Sequence, residues 1–211
     1  MRRYILPLLI LALAAGYAIW RSEQRPAAPK DATSSQAVPP VTLGADQPVL
    51  GQFEKVAGLP GIEGIIVSDP QGDVDLGRYK GKALLINVWA TWCAPCIAEM
   101  PSLDRLQAKL GGDKFAVVTV AVDEPSMTAV QNFIDQKQLH NLPVLVDLNH
   151  AIDHKVRVPN LPTSLLVSPD GIIQARFAGD SKWDCGAPLA ALQAFVKDGT
   201  VPLGQLESCP D

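Results

Sequence analysis

The stretch ALLINVWATWCAPCIAEM, residues 83–100, constrains the fold of this chain more than any other. Its first eight residues are nearly all apolar, the pattern of a short strand buried on both faces. From Ala94 onward Cys96, Met100, Leu103, Leu106 and Leu110 recur every three or four positions, which predicts a helix ended by Gly111 and Gly112. A strand with two apolar faces needs a packed layer above and below it. Two cysteines, Cys93 and Cys96, stand where that strand hands over to the helix.

The rest of the chain supplies the layers. IIVSDPQGDVDL (65–76) has an apolar run, a Pro-Gln-Gly turn and an alternating run, which predicts a hairpin. FAVVTVAV (115–122) and PVLVD (143–147) read as further strands, and 126–139 as a helix with Ser126 as its N-cap. A short helix is expected around 152–156, an antiparallel hairpin over 163–167 and 172–178, and a last helix over 187–196. Leu50, Phe53, Val56 and Leu59 recur at helical spacing, so 49–61 is read as a short helix packed on the domain. The order βαβαβ(α)ββα is that of an α/β domain.

The amino terminus has a different character. Arg2 and Arg3 precede an uncharged run from Tyr4 to Trp20, and Arg21 closes it. As a helix that run rises about 25 Å, close to a hydrocarbon core of about 30 Å. Residues 1–21 are therefore expected to form a single-pass anchor, with a cleaved signal peptide as the alternative. Residues 22–48, rich in Pro, Ala and Ser, read as a flexible stalk, and 49–211 as the folded domain. Either reading of the leader carries the domain out of the cytoplasm. The 18 basic and 22 acidic residues give a net charge of −4 without long runs of either sign. No nucleic-acid footprint is implied, since that takes a basic face or stripe.

Three chemistries compete for Cys93 and Cys96. A zinc site takes four ligands, and Cys185, Cys209, His140, His150 and His154 carry no spacing that ties them to this pair. A purely structural disulfide closes so small a loop that it removes little chain entropy. A redox pair fits the location. At a helix N-terminus the free N–H groups and the dipole favour an anion, so the Cys93 thiolate is expected to be stabilised and nucleophilic. Cys96, one turn further in, would resolve the mixed disulfide. Pro95 suits the first turn because the N–H it lacks has no helical acceptor there. Trp92 reads as an exposed platform beside the sulfurs, whereas Trp89 is as compatible with the core as with the site. Glu99 lies three residues beyond Cys96. It is either a surface carboxylate or a proton acceptor for the buried thiol. No cofactor or resident metal is called for; a copper-binding role for the pair, as a Cu(I) chaperone, is the alternative from another class.

NVWATWCAPCIAEMP, together with VPNLPTSLLVSPDG (158–171), resembles the thioredoxin superfamily over about residues 62–197. The closer resemblance is to its TlpA/ResA-like branch of membrane-anchored extracytoplasmic oxidoreductases. It implies a thioredoxin fold: a three-layer α/β/α sandwich on a mixed central sheet, with an N-terminal hairpin and a central αβ insertion at 126–147. It implies a cis-proline at Pro162, with Leu161 and Pro162 lying against the sulfurs and pairing with a bound substrate strand. It also implies reduction of disulfide-bearing periplasmic proteins of the cytochrome c or copper-site assembly type, recharging by a membrane donor of the DsbD/CcdA type, and residence at the inner membrane. Thioredoxin's buried Asp is replaced here by Asn87, so the proton-accepting role falls to Glu99. Cys185 and Cys209 lie outside the matched motifs. An oxidising compartment makes a structural disulfide between them the expectation, with a free or intermolecular thiol as the alternative.

Overall fold

The computed structural model describes residues 51–55, 58, 60–122, 126–206 and 209. The expected anchor (1–21) and stalk (22–48) lie outside the described residues. Among the described residues no helix is long and apolar enough to cross a membrane.

Among the described residues nine strands form one sheet: β1 (Gln52–Glu54), β2 (Ile66–Asp69), β3 (Gly72–Asp75), β4 (Ala83–Trp89), β5 (Phe115–Ala121), β6 (Leu145–Val146), β7 (Thr163–Val167), β8 (Ile173–Ala178) and β9 (Gly204–Gln205). Their order is β3-β2-β6-β5-β4-β7-β8-β1-β9. β4 runs parallel to β5, and β5 to β6, while β7 lies antiparallel on the other side of β4. The sheet is therefore mixed. Every residue of β4, β5 and β7 is buried, which is why β4 and β5 are nearly continuous apolar runs rather than alternating ones.

Among the described residues four α-helices cover the sheet: α1 (Ala94–Leu110), α2 (Met127–Gln136), α3 (Ala151–Val156) and α4 (Gly186–Asp198). Strand alternation sorts the core into two layers. Leu85, Trp89 and Val117 pack with Met100, Leu103 and Leu106 of α1, Ile134 of α2 and Phe195 of α4. Leu84, Ile86, Val88 and Val118 pack on the opposite face with Ile152 and Val156 of α3. This is the three-layer thioredoxin-like arrangement.

Most elements stand where residue pattern places them, and the exceptions have local causes. Residues 52–54 form strand β1, paired between β8 and β9, and not part of a helix. Phe53 sits opposite Phe177 of β8, and its ring lies 5.2 Å from that of Phe177 and 6.1 Å from that of Trp183. Ladder pairing with β8 and an aromatic cluster outweigh a weak helical spacing. α2 ends at Gln136, short of Leu139, because Gln138 takes a positive φ of 54° and the Leu139 N–H turns back to the Ile134 carbonyl. The third internal strand shrinks to Leu145–Val146. Strand β9, in the tail, has no apolar alternation to announce it and pairs only with β1.

Candidate active site

Strand β4 ends at Trp89, and four residues later Cys93 caps α1. Cys93 is extended (φ −85°, ψ 101°), its Sγ accepts from the Cys96 N–H at 3.4 Å, and its carbonyl accepts from Ile97 N–H at 3.0 Å. Pro95 occupies the first turn, which also holds no acidic residue. The sulfur thus stands at the positive end of a 17-residue helix with no competing negative charge in that turn. Cys93 and Cys96 are joined by a disulfide, with S–S 2.04 Å and Cα–Cα 5.2 Å. Cys93 retains 6% of its surface and Cys96 none. A partner therefore reaches Cys93 first. Trp92 stands 72% exposed beside it, and Pro95 is exposed too. Trp89 is core: it is 1% exposed and its ring lies 5.0 Å from that of Phe133 on α2.

The Leu161–Pro162 peptide is cis. Leu161 is half-buried and packs against the apolar cluster that contains both sulfurs. It also lines a hollow of about 260 Å³ with Val88, Val122, His150 and Asn160, at the same end of the sheet as Cys93. A larger hollow, of about 570 Å³, lies at the other end, among Lys114, Asp170 and Lys197, away from the sulfurs.

Glu99 is not a surface carboxylate: it is 3% exposed. One turn beyond Cys96, it shares that residue's face of α1. Its Oε1 accepts from Asn87 Nδ2 at 2.8 Å. Its Oε2 accepts from Trp183 Nε1 at 2.9 Å and from the Ser181 N–H at 3.1 Å. Asn87, on β4, also donates to Ser164 Oγ at 3.0 Å, directly across the β4–β7 ladder. Burial pushes the Glu99 carboxyl up from 4.5 to about 7; the three hydrogen bonds oppose that rise without cancelling it, and the charge of Asp180 adds to it. A carboxyl balanced there exchanges protons near neutral pH.

Residue pattern did not single out Trp183 or Ser181. Both lie in the segment between β8 and α4, which has no periodicity, and their importance comes only from docking on α1. Ser102 Oγ donates to the Glu99 carbonyl at 2.7 Å and accepts from Trp183 N–H at 3.2 Å. Arg105 Nε meets Asp184 at 2.7 Å, and Lys109 donates to the Asp184 carbonyl at 2.9 Å. The Arg105 guanidinium holds Asp184 below the usual carboxylate range. Just beyond, Cys185 and Cys209 form a second disulfide, with Cα–Cα 6.1 Å. Among the described residues no group of three or more His, Cys, Asp or Glu side chains converges as a metal site would.

Residues 62–176, more than half of the chain, match the AhpC/TSA family. The chain belongs to that family. Among curated proteins it is 34% identical to the thiol-disulfide oxidoreductase ResA of Bacillus anthracis over 116 residues, 54% of this chain and 66% of the relative. It is 40% identical to the thioredoxin-like protein YneN of Bacillus subtilis over 97 residues, 45% of this chain and 55% of that one. The chain thus spans slightly under two thirds of the ResA relative's length. Among solved structures it resembles the exposed lipoprotein thioredoxin Etrx1 of Streptococcus pneumoniae, with a TM-score of 0.51 and 27% identity over 63% of this chain and 97% of that one. A DsbF homologue from Corynebacterium diphtheriae shares the fold, with a TM-score of 0.54 and 23% identity over 70% of this chain and 92% of the other.

Proposed function

We propose that this protein is a thiol:disulfide oxidoreductase that reduces disulfides in partner proteins. The observation that carries the reading is Cys93 as the N-cap of α1, slightly exposed and bonded to the fully buried Cys96. In the reduced protein the Cys93 thiolate attacks one sulfur of a partner disulfide. A Cys93–partner bond forms, and the partner's other sulfur leaves as a thiolate that takes a proton from water. Cys96 then gives its proton to the Glu99 carboxylate and attacks Cys93 Sγ. The second partner sulfur leaves and takes up that proton, so one dithiol is oxidised for each disulfide reduced. Two features divide the work: the helix terminus favours the Cys93 anion, while burial and Glu99 keep Cys96 protonated until the mixed disulfide has formed.

The leader pattern at 1–21 supports a single-pass inner-membrane anchor with the domain in the periplasm. In that oxidising compartment the disulfide reformed at each turnover has to be reduced again, which calls for a membrane dithiol donor of the DsbD/CcdA type. Resemblance to the ResA-like branch supports partners from cytochrome c or copper-site assembly. A copper chaperone, the alternative, would use the same two sulfurs as soft ligands; among the described residues they stand in no group of three or more His, Cys, Asp or Glu side chains.

The test is single-turnover. Protein loaded with dithiothreitol and desalted should reduce a model protein disulfide, and Cys96→Ser should accumulate a Cys93-linked adduct. Failure of the reduced parent to open the model disulfide refutes the reading. Adducts trapped by Cys96→Ser in cell envelopes then identify the partner.

A further inference from the structure

The second disulfide lies against the segment that supplies two of the three hydrogen bonds to Glu99. Its sulfurs stand 3.7 Å (Cys185) and 3.6 Å (Cys209) from the Lys182 carbonyl oxygen, between Ser181 and Trp183. Neither bonded sulfur carries a hydrogen, so these are packing contacts. Gly186, next to Cys185, has φ +54°, and a Cβ there would stand 3.2 Å from Cys209 Sγ, so the bond sits tightly against the start of α4. On its other side the same segment docks on α1 through Ser102, Arg105 and Lys109. The Trp183 indole closes the gap, with Phe177 5.0 Å away, and is 0% exposed.

We propose that the Cys185–Cys209 disulfide is a clasp that holds residues 181–184 over Glu99 and keeps water off that carboxylate, making Trp183, Cys185 and Cys209 positioning residues for thiol–disulfide exchange. The proposal rests on the oxidoreductase reading for its consequence, but the geometry stands without turnover. The charged and titratable groups near Glu99 are few. Cys96, on its own helix, is held in the first disulfide and does not titrate; Asp180 precedes the clasped segment, and Lys182 and Asp184 lie on it, Asp184 being neutralised by Arg105 and Lys109. Asn87 of β4 and Ser164 of β7 contribute none. Water admitted by a loosened segment therefore removes the dominant influence on Glu99, its burial, and the proton affinity falls. Loss of one hydrogen bond with burial kept does the opposite.

The experiment reads the Glu99 side-chain ¹³C carboxyl titration in the full chain, assigned by its disappearance in Glu99→Gln. In Cys185→Ala/Cys209→Ala the midpoint is expected to fall from about 7 by at least about one pH unit. In Trp183→Phe, which keeps an aromatic ring and removes the N–H, it is expected to rise by about one unit. Should the double variant fold poorly, a Cys93→Ala/Cys96→Ala background lets phosphine cut the remaining bond in folded protein, with the same fall expected. A midpoint that stays near its parent value, or rises, when the second bond is removed from folded protein overturns the proposal. Such a result leaves the functional reading intact, because the carboxyl titration needs no substrate. Conversely, an inactive parent with the expected shifts would sink only the functional reading.

Discussion

Replacing Glu99 by glutamine tests the energetic core of the site without reference to any substrate. The folded-state pKa of Glu99 is raised from 4.5 to about 7, chiefly by burial. A group with a raised folded pKa contributes stability that is fully present below its unfolded pKa. Between about pH 4.5 and 7 the unfolded chain has lost this proton while the folded chain retains it, so stability declines as pH rises. Above about 7 both states are ionised and the decline stops. At about 1.4 kcal/mol per pH unit, the fall between pH 5 and 8 is on the order of 2 to 3 kcal/mol. Glu99→Gln removes it. The amide fits the cage: one face still accepts from Trp183 and Ser181, and the other can donate to Asn87 Oδ1, which is buried without a partner, once the Asn87 amide turns over. Urea denaturation of both oxidised proteins at pH 5 and pH 8 gives the comparison, and other titrating groups cancel in the difference. The variant should lose less stability than the parent over that interval by on the order of 2 to 3 kcal/mol. Equal pH dependence in the two proteins would refute a carboxyl held protonated by its surroundings.

Two further outcomes bear on the frame around the site. Leu103, fully buried between α1 and the sheet, should cost about 2 to 5 kcal/mol when cut to alanine, and a urea midpoint that moves little would show that this helix face is not packed as described. The Cys185–Cys209 bond closes a loop of 24 residues in sequence separation, so Cys185→Ala/Cys209→Ala should lower stability by about 3 kcal/mol in thermal melts of the oxidised protein; unchanged melting would mean the tail contributes no constraint to the unfolded chain.

The central strands and α1 are legible from residue order alone because each is governed by one local signal. β4 and β5 are continuous apolar runs, and α1 repeats its apolar residues at helical spacing between Pro95 and Gly111. Cys93 and Cys96 followed from that junction, since a helix start has the same electrostatics in any fold. β1 is not legible from the pattern because a strand of three residues carries no period of its own. Glu99 stayed ambiguous for a related reason. Its place on α1 is a local matter, but its burial depends on what covers that face.

By itself the amino-acid order determined the layered α/β class, the redox pair at a helix start, and which sulfur comes first along the helix. These rest on interactions within a few residues of one another. Only the tertiary structure decided that Glu99 is dry, that Asn87, Ser181 and Trp183 hold it, and that the second disulfide sits against the same segment. Those contacts join positions 77 to 84 residues apart, or lie between elements brought together by the sheet. A side chain's proton affinity depends on the solvent and partners around it, and both are settled only when distant segments close over it.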